Sequence, residues 1–464
     1  MKILHYSLGF PPFRRGGMTK YCMDLMAEQT KQGHEVALLW PGAFKRADSS
    51  ILIKSHRSQK LSKDYSVGSF ELRNSLPVPL LDGIRDIDAY THPKDIDPLK
   101  CFLVENEIDV LHVHTLMGFP KELLEVCRLQ GIRTVFTSHD YFGICPKWGL
   151  ERNGKPCIDD HNCFDCVACN QNALSLNKIR VLQSKAYRVV KDASFIKTLR
   201  RKHNAALNED LTSIPEQQYT SKDDTKAAGY RRLRQYYVDM LESFDVLHFN
   251  SNTTKEVYSR YCDVSHGYVV SITNSAVLNH KQLHKAHSPV RFAYFGPADR
   301  HKGFWELLKA CDLLWKEKPC SFELHVFMNL DVDRPFLRKH DAYQYEDLPQ
   351  IMKSIDMSVV PSQWYETFGF TVLEAMSFGI PVLLTENVGA KDLIENWVTG
   401  LVSGTGAKEM ARQMYMVINN PVVIRKLSMK IKEDCEIKTV KNHADEIMKL
   451  YMGDFKFNES ISLE

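Results

Sequence analysis

No apolar run in this chain approaches the ~18 residues that a membrane-spanning helix needs. No charge excess of either sign runs through the whole molecule: the net charge is +3, which argues against a strongly acidic or basic partner overall. The stretch Met1–Pro12 is too short and too polar for a secretory signal peptide and reads as a first strand, so a cytoplasmic protein is expected. There is no internal sequence repeat. Disorder over the whole chain is excluded as well, because hydrophobic residues make up 44% and charged ones 25%, the balance of a globular protein.

Length is what the chain has in plenty. Its 464 residues are too many for one ordinary core and suit two or three domains. Lys2–Leu8 and Glu35–Trp40 read as buried strands around the loop Pro11-Pro12-Phe13-Arg14-Arg15-Gly16-Gly17 and a helix from about Met18 to Gln32. Such a unit, with glycines at the helix entrance, is a common way to hold an anion. Asp109–Thr115 and Thr134–Ser138 are further strands, and His139-Asp140 sits at the carboxyl end of the second, where α/β sheets place ligands. Residues 43–100, with Pro77, Pro79, Pro93 and Pro98, read as loops, short strands and one peripheral helix. Val246–Asn250 and Val269–Asn274 complete the first half, and the His- and Lys-rich segment Leu278–Pro289 reads as a linker. Val290–Gly296, Leu324–Met328, Met357–Val360 and Val382–Thr385 are the strands of a second half, and Val440–Met452 is a last amphipathic helix.

The stretch from Val359 to Leu384 concentrates the chemistry. It reads as a strand end, a loop carrying Glu366, a short helix carrying Glu374 on its first turn, and another buried strand. Phe368, Gly369, Phe370 and Thr371 lie where the helix begins. The first amides of a helix have no internal partner and sit at its positive end, which favours a phosphate or sugar oxygen. A carboxylate near a helix start often only complements the dipole. Two glutamates flanking a glycine-bearing helix start just after a buried strand are less ordinary.

These residues resemble the signature of the retaining, glycogen-synthase-like "group 1" glycosyltransferases: two glutamates with seven residues between them, Phe-Gly inside that gap and Pro-Ser before. Glu366, Glu374, Phe368, Gly369, Pro361 and Ser362 fill that pattern. The resemblance implies a GT-B architecture of two Rossmann-like halves facing a cleft. Its parts are an acceptor domain at 1–280, a nucleotide-sugar domain at 290–439, and a helix at 440–464 returning to the first. The function it implies is sugar transfer from a nucleotide diphosphate to a hydroxyl acceptor, a glycan or a lipid-linked one, with no cofactor for catalysis. Glu366, His139 and Lys302 are the catalytic candidates. Gly17, Arg300, Lys302, Phe368, Gly369, Phe370, Thr371 and Glu374 are the donor-binding ones. The family's Gly-Arg…Lys-Gly pattern is met by Lys302-Gly303, whereas Pro297 stands where the arginine is expected and Arg300 is its substitute. Losing a charge-assisted contact to the departing phosphate costs about 1.5–3 kcal/mol. The alternatives are a silent nucleotide-sugar-binding partner, a GT-B nucleotide-sugar epimerase and a metal-bearing scaffold.

Two features stand outside that pattern. Of twelve cysteines, five lie between Cys145 and Cys169, in a Gly-, Pro- and Asn-rich segment with no room for a packed core. Cys157, Cys163, Cys166 and Cys169, with Cys145 or His161 as substitutes, can supply the four ligands of a structural zinc. The spacing also partly echoes iron–sulfur binding, and free thiols closing a loop are a third reading. The segment falls in an insert at about 145–240. From Lys178 to Lys202 the insert carries nine cations against Asp192 alone, with Ile179, Leu182, Ala186, Val189, Ala193 and Ile196 at helical spacing. A helix docked on its own domain with a solvated basic face explains this, and so does a peripheral contact with the inner face of an anionic membrane. Nucleic acid is not expected, since aromatic platforms are absent from the patch.

Overall fold

The computed structural model describes residues 1–44, 50–79, 83–157, 161–191, 193 and 221–454. It is an α/β molecule with two largely parallel sheets. The first holds β1 (Lys2–Tyr6), β2 (Glu35–Pro41), β3 (Leu52–Lys60), β4 (Ser66–Arg73), β5 (Val110–Val113) and β6 (Arg133–Ser138). A small hairpin follows, β7 (Glu151–Arg152) with β8 (Lys155–Pro156), and then β9 (Val246–Phe249) and β10 (Gly267–Val269) rejoin the first sheet. The order is β10-β9-β6-β5-β1-β2-β4-β3, with only β3 antiparallel. Strands such as β5, buried at all four residues, are apolar enough to be covered on both faces by helices. From β1 the sheet grows one way through β2 and the other through β5, so the crevice outside the carboxyl ends of β1 and β5 is where a ligand belongs.

The second sheet repeats this logic. It holds β11 (Val290–Tyr294), β12 (Phe322–Val326), β13 (Leu337–Lys339), β14 (Met357–Val360), β15 (Val382–Thr385) and β16 (Leu401–Ser403), in the order β13-β12-β11-β14-β15-β16. Its reversal lies between β11 and β14. The loops leaving those two strands carry Lys302 and Glu366.

The helix Val440–Met452 packs on the first half. Tyr21 Oη lies 2.8 Å from His443 Nε2, and Gln32 donates to Asp445 at 2.8 Å. The chain passes between the halves twice, and lysines tie the two passages together. Lys281 donates to the carbonyls of Ile431, Lys432 and Cys435, and Lys438 donates to that of Ser271. The first passage is also held by the second half, where the buried carboxylate of Asp356 accepts from His284 and His287 and from the amides of His287 and Arg291.

Several expectations need correction. Residues 43–100 contain two long strands, β3 and β4, that pair along the sheet's edge. Of the expected strand Val269–Asn274 only Val269 lies in the sheet, as the end of β10, and β13 and β16 were not expected at all. The cysteine segment does join a core: Cys163 and Cys166 are buried in one apolar cluster with Leu150, Ile179 and Leu233. In the basic stretch the described part is two short helices, Leu176–Leu182 and Lys185–Val190, because Ser184 caps the second by accepting from the Tyr187 amide. Asp192 and residues 194–202 lie outside the described residues. No helix among the described residues is long and apolar enough to cross a membrane.

Candidate active site

The loop after β11 ends in Lys302-Gly303. Gly303 holds φ +77 and starts the helix Phe304–Glu317; a Cβ there would collide with the Pro361 carbonyl, so this position demands glycine. The close packing brings the 302 and 361–366 segments side by side. Lys302 Nζ then reaches Glu366 Oε1 at 2.8 Å, and Ser362 donates its hydroxyl proton to Glu366 Oε2. Burial alone pushes the Glu366 carboxyl up; the charge and hydrogen bond of Lys302, with Ser362, more than offset this and hold it below its usual range. Lys302 also lies over the Trp364 ring, 5.2 Å from its centre.

Gly369, at φ +102, caps the helix Phe370–Ser377, and the carbon of the Glu366 carboxyl lies 3.9 Å from where a Gly369 Cβ would be. Phe370 starts the helix, so Glu374 belongs to its second turn and not to its first, as expected from sequence. Glu374 is buried, which raises its carboxyl to about 7 although Tyr345 and Lys20 pull it back. Lys20 comes from the first half, where it bonds Asp24 and Ser275.

The first half meets this helix start directly. A Cβ on Gly17 would lie 3.4 Å from the Phe370 ring. Thr367 donates to the His139 carbonyl at 3.2 Å, and the Thr367 carbonyl accepts from Ser251 and Thr254 at 2.8 and 2.9 Å. His139 itself is half-buried, with Tyr21 edge-on to its ring at 4.8 Å between centres. Gly17, His139, Lys302, Glu366, Phe368, Gly369, Phe370 and Glu374 therefore border one crevice between the two sheets, with Thr371 on the same helix start.

Residues 340–435 match the family described as glycosyl transferases group 1, and residues 15–174 match glycosyltransferase family 4. Each half of the chain thus matches a glycosyltransferase family, the group-1 match lying in the second. The chain's fold is GT-B, shared with solved structures at low sequence identity. Sucrose-phosphate synthase from Thermosynechococcus elongatus is 15% identical, over 97% of this chain and 98% of that one, with a TM-score of 0.54. HepE from Anabaena, solved in complex with UDP, is 14% identical over 97% and 100%, also at 0.54. The catalytic domain of starch synthase IV from Arabidopsis thaliana, bound to ADP and acarbose, is 12% identical over 97% and 99%, at 0.52. No curated protein matches by sequence.

Not every expected residue of the chain meets the others. Arg300 is exposed, and its Cβ packs 2.9 Å from where Gly154 of the β7–β8 hairpin would carry one. In the cysteine segment, Cys166 lies beside Cys163, which raises its thiol, and Arg234 donates to Cys166 Sγ at 3.6 Å. Burial pushes Cys169 up to about 11. His161 lies against Tyr261, the rings tilted with centres 4.8 Å apart. Among the described residues, three potential metal-binding atoms approach within 4.8 Å of one another at two places outside this segment, His5–Cys22–His114 and His284–His287–Asp356.

Sequence reasoning missed Ser362 as the partner of Glu366, and Tyr345 and Lys20 around Glu374. It also missed the contact of Trp148 with Trp364, at 5.4 Å between rings, through which the insert touches the Glu366 loop. Ser362 was within reach, being four residues before Glu366; the others come together only in three dimensions.

Proposed function

We propose that the chain transfers a sugar from a nucleotide-diphosphate donor to a hydroxyl acceptor, with retention at the anomeric carbon and without a catalytic metal. The observation that most supports this is the 2.8 Å pair of Lys302 and Glu366 beside a helix start that faces Gly17 of the other half. HepE has also been solved with UDP-glucose, which supports a nucleotide-sugar of that class as donor. In this reading the diphosphate draws Lys302 away from Glu366. Lys302 and the unpaired amides at Gly17 and at the start of the helix Phe370–Ser377 then stabilise the charge on the departing oxygen. Glu366, freed, accepts from the sugar hydroxyls and orients the anomeric carbon. Glu374 accepts from the ribose, and His139 meets the sugar from the first half. The departing oxygen takes the proton of the incoming hydroxyl on the same face.

Glu366→Gln and Lys302→Ala are each expected to cut transfer at least about tenfold with unchanged melting temperature. Near-normal transfer by both variants overturns the assignment. Pro297 in place of an arginine favours a second reading, a donor-binding partner without turnover. Calorimetry that finds UDP-glucose bound, with no UDP released against any acceptor, selects it.

Two finer readings accompany the first. Cys157, Cys163, Cys166 and Cys169 are proposed to hold a structural zinc, supported by the Cys163–Cys166 contact and by the Arg234 cation against Cys166. A seat on the inner face of the membrane, serving cell-surface glycan synthesis on a glycan or lipid-linked acceptor, is supported by exposed Val181 and Val190 within the cationic stretch. Flotation with anionic vesicles tests that seat, and binding that fails to appear even at low salt removes it.

A further inference from the structure

A file of histidines runs through the first half beneath the crevice, and its hydrogen bonds have only one consistent direction. It begins at the Val270 carbonyl, 2.8 Å from His248 Nε2. A carbonyl only accepts, so His248 carries its proton on Nε2 and leaves Nδ1 bare. Thr137, 2.8 Å from that Nδ1, must donate its single hydroxyl proton there. His112 Nε2, 2.6 Å from the same hydroxyl oxygen, must therefore be the donor to it. A neutral ring has one proton, so His112 Nδ1 is bare and accepts from the Tyr451 hydroxyl at 2.6 Å. The Tyr451 oxygen is then left to accept from the Gln29 amide nitrogen at 3.1 Å. That fixes the amide orientation and turns its carbonyl oxygen to His5 Nε2 at 2.7 Å. His5 carries its proton on Nε2, and its bare Nδ1 accepts from His114 Nε2 at 2.9 Å. His114 Nδ1 is bare in turn and accepts from His139 Nε2 at 3.3 Å.

We infer that this file, locked at one end by the Val270 carbonyl and passing through Tyr451 of the C-terminal helix, holds His139 as the Nε2–H tautomer and presents its bare Nδ1 to the donor sugar as a hydrogen-bond acceptor. Tyr451, Gln29, His5 and His114 are positioning residues and His139 is the group that meets substrate. Every ring must be neutral for the argument, and burial holds His5, His112, His114, His139 and His248 below the usual histidine range. His139 Nδ1 takes no hydrogen bond from the described residues, so it is available. The inference rests on the proposed donor site and narrows its substrate class. A bare ring nitrogen welcomes a sugar hydroxyl and repels a carboxylate, so a neutral hexose is selected against a uronic acid at this place.

The test uses the full chain labelled with ¹⁵N-histidine. Long-range ¹H–¹⁵N correlation at neutral pH, with His139 assigned from a His139→Asn spectrum, is expected to show Nε2 protonated and Nδ1 bare. Tyr451→Phe removes the hydroxyl that joins the two ends of the file. It should mix the His139 tautomers and lower kcat/KM for UDP-glucose about fivefold, the scale of one hydrogen bond, with the melting temperature lowered by only a few degrees and the fold kept. A wild-type His139 protonated on Nδ1 overturns the inference. So does a Tyr451→Phe spectrum in which His139 keeps its pattern, since a merely structural tyrosine would give that result. Normal transfer by Glu366→Gln and Lys302→Ala together with the expected spectrum would instead sink the donor-site reading and leave the file standing.

Discussion

Glu374 is a carboxylic acid made weak by its surroundings. Burial raises its pKa to about 7, against 4.5 for the free group. The folded protein therefore keeps a proton that the unfolded chain gives up. Its contribution to stability is full below about pH 4.5 and is lost as the pH rises through about 7. Glu374→Gln cannot lose that proton. The variant should gain on the wild type by about 2 kcal/mol in unfolding free energy between about pH 5.5 and 8, read from melting curves at each pH. A constant difference across that range would show that the carboxylate is solvated in the fold. The residue's type and place were legible from its spacing to Glu366. Its protonation was not, because Tyr345 reaches it from a separate loop and Lys20 from the other half.

Strands that are mostly apolar and buried at every position, such as Val110–Val113 and Met357–Val360, could be read from sequence because cover on both faces leaves only one polar residue in each, His112 and Ser358. The edge strand Leu52–Lys60 could not. It is exposed almost throughout and holds its place through its antiparallel ladder with Ser66–Arg73, a signal that no single segment carries. The cysteine segment shows the converse. Its residue pattern was plain, yet its membership of a core was hidden, since that core is completed by the distant helix Ser221–Glu242. Metal analysis of native protein is expected to find about one zinc per chain, and a chain purified without metal or iron would leave these cysteines as packed thiols.

The whole molecule is built on a first half that shelters uncharged histidines. Burial holds His5 at about 4 and His139 at about 3, and lowers His112, His114, His248 and His443 as well. The unfolded chain takes up these protons near pH 6.5 while the folded one refuses them. Stability is complete above that value and falls as the pH drops toward about 4, by on the order of 1 kcal/mol per pH unit for each ring. Acid titration followed by tryptophan fluorescence should show cooperative unfolding that begins below about pH 6. A native signal persisting to about pH 4 would mean that water reaches the rings.

The paired passages stitched by Lys281 and Lys438 set how the halves can move. Two strands of chain fastened together behave as one hinge, so the soft motion is a swing about a single axis beside the linker. Sliding or twisting would have to break those lysine ties. The crevice must then open from its far rim, which is the natural gate for a ligand to enter and leave.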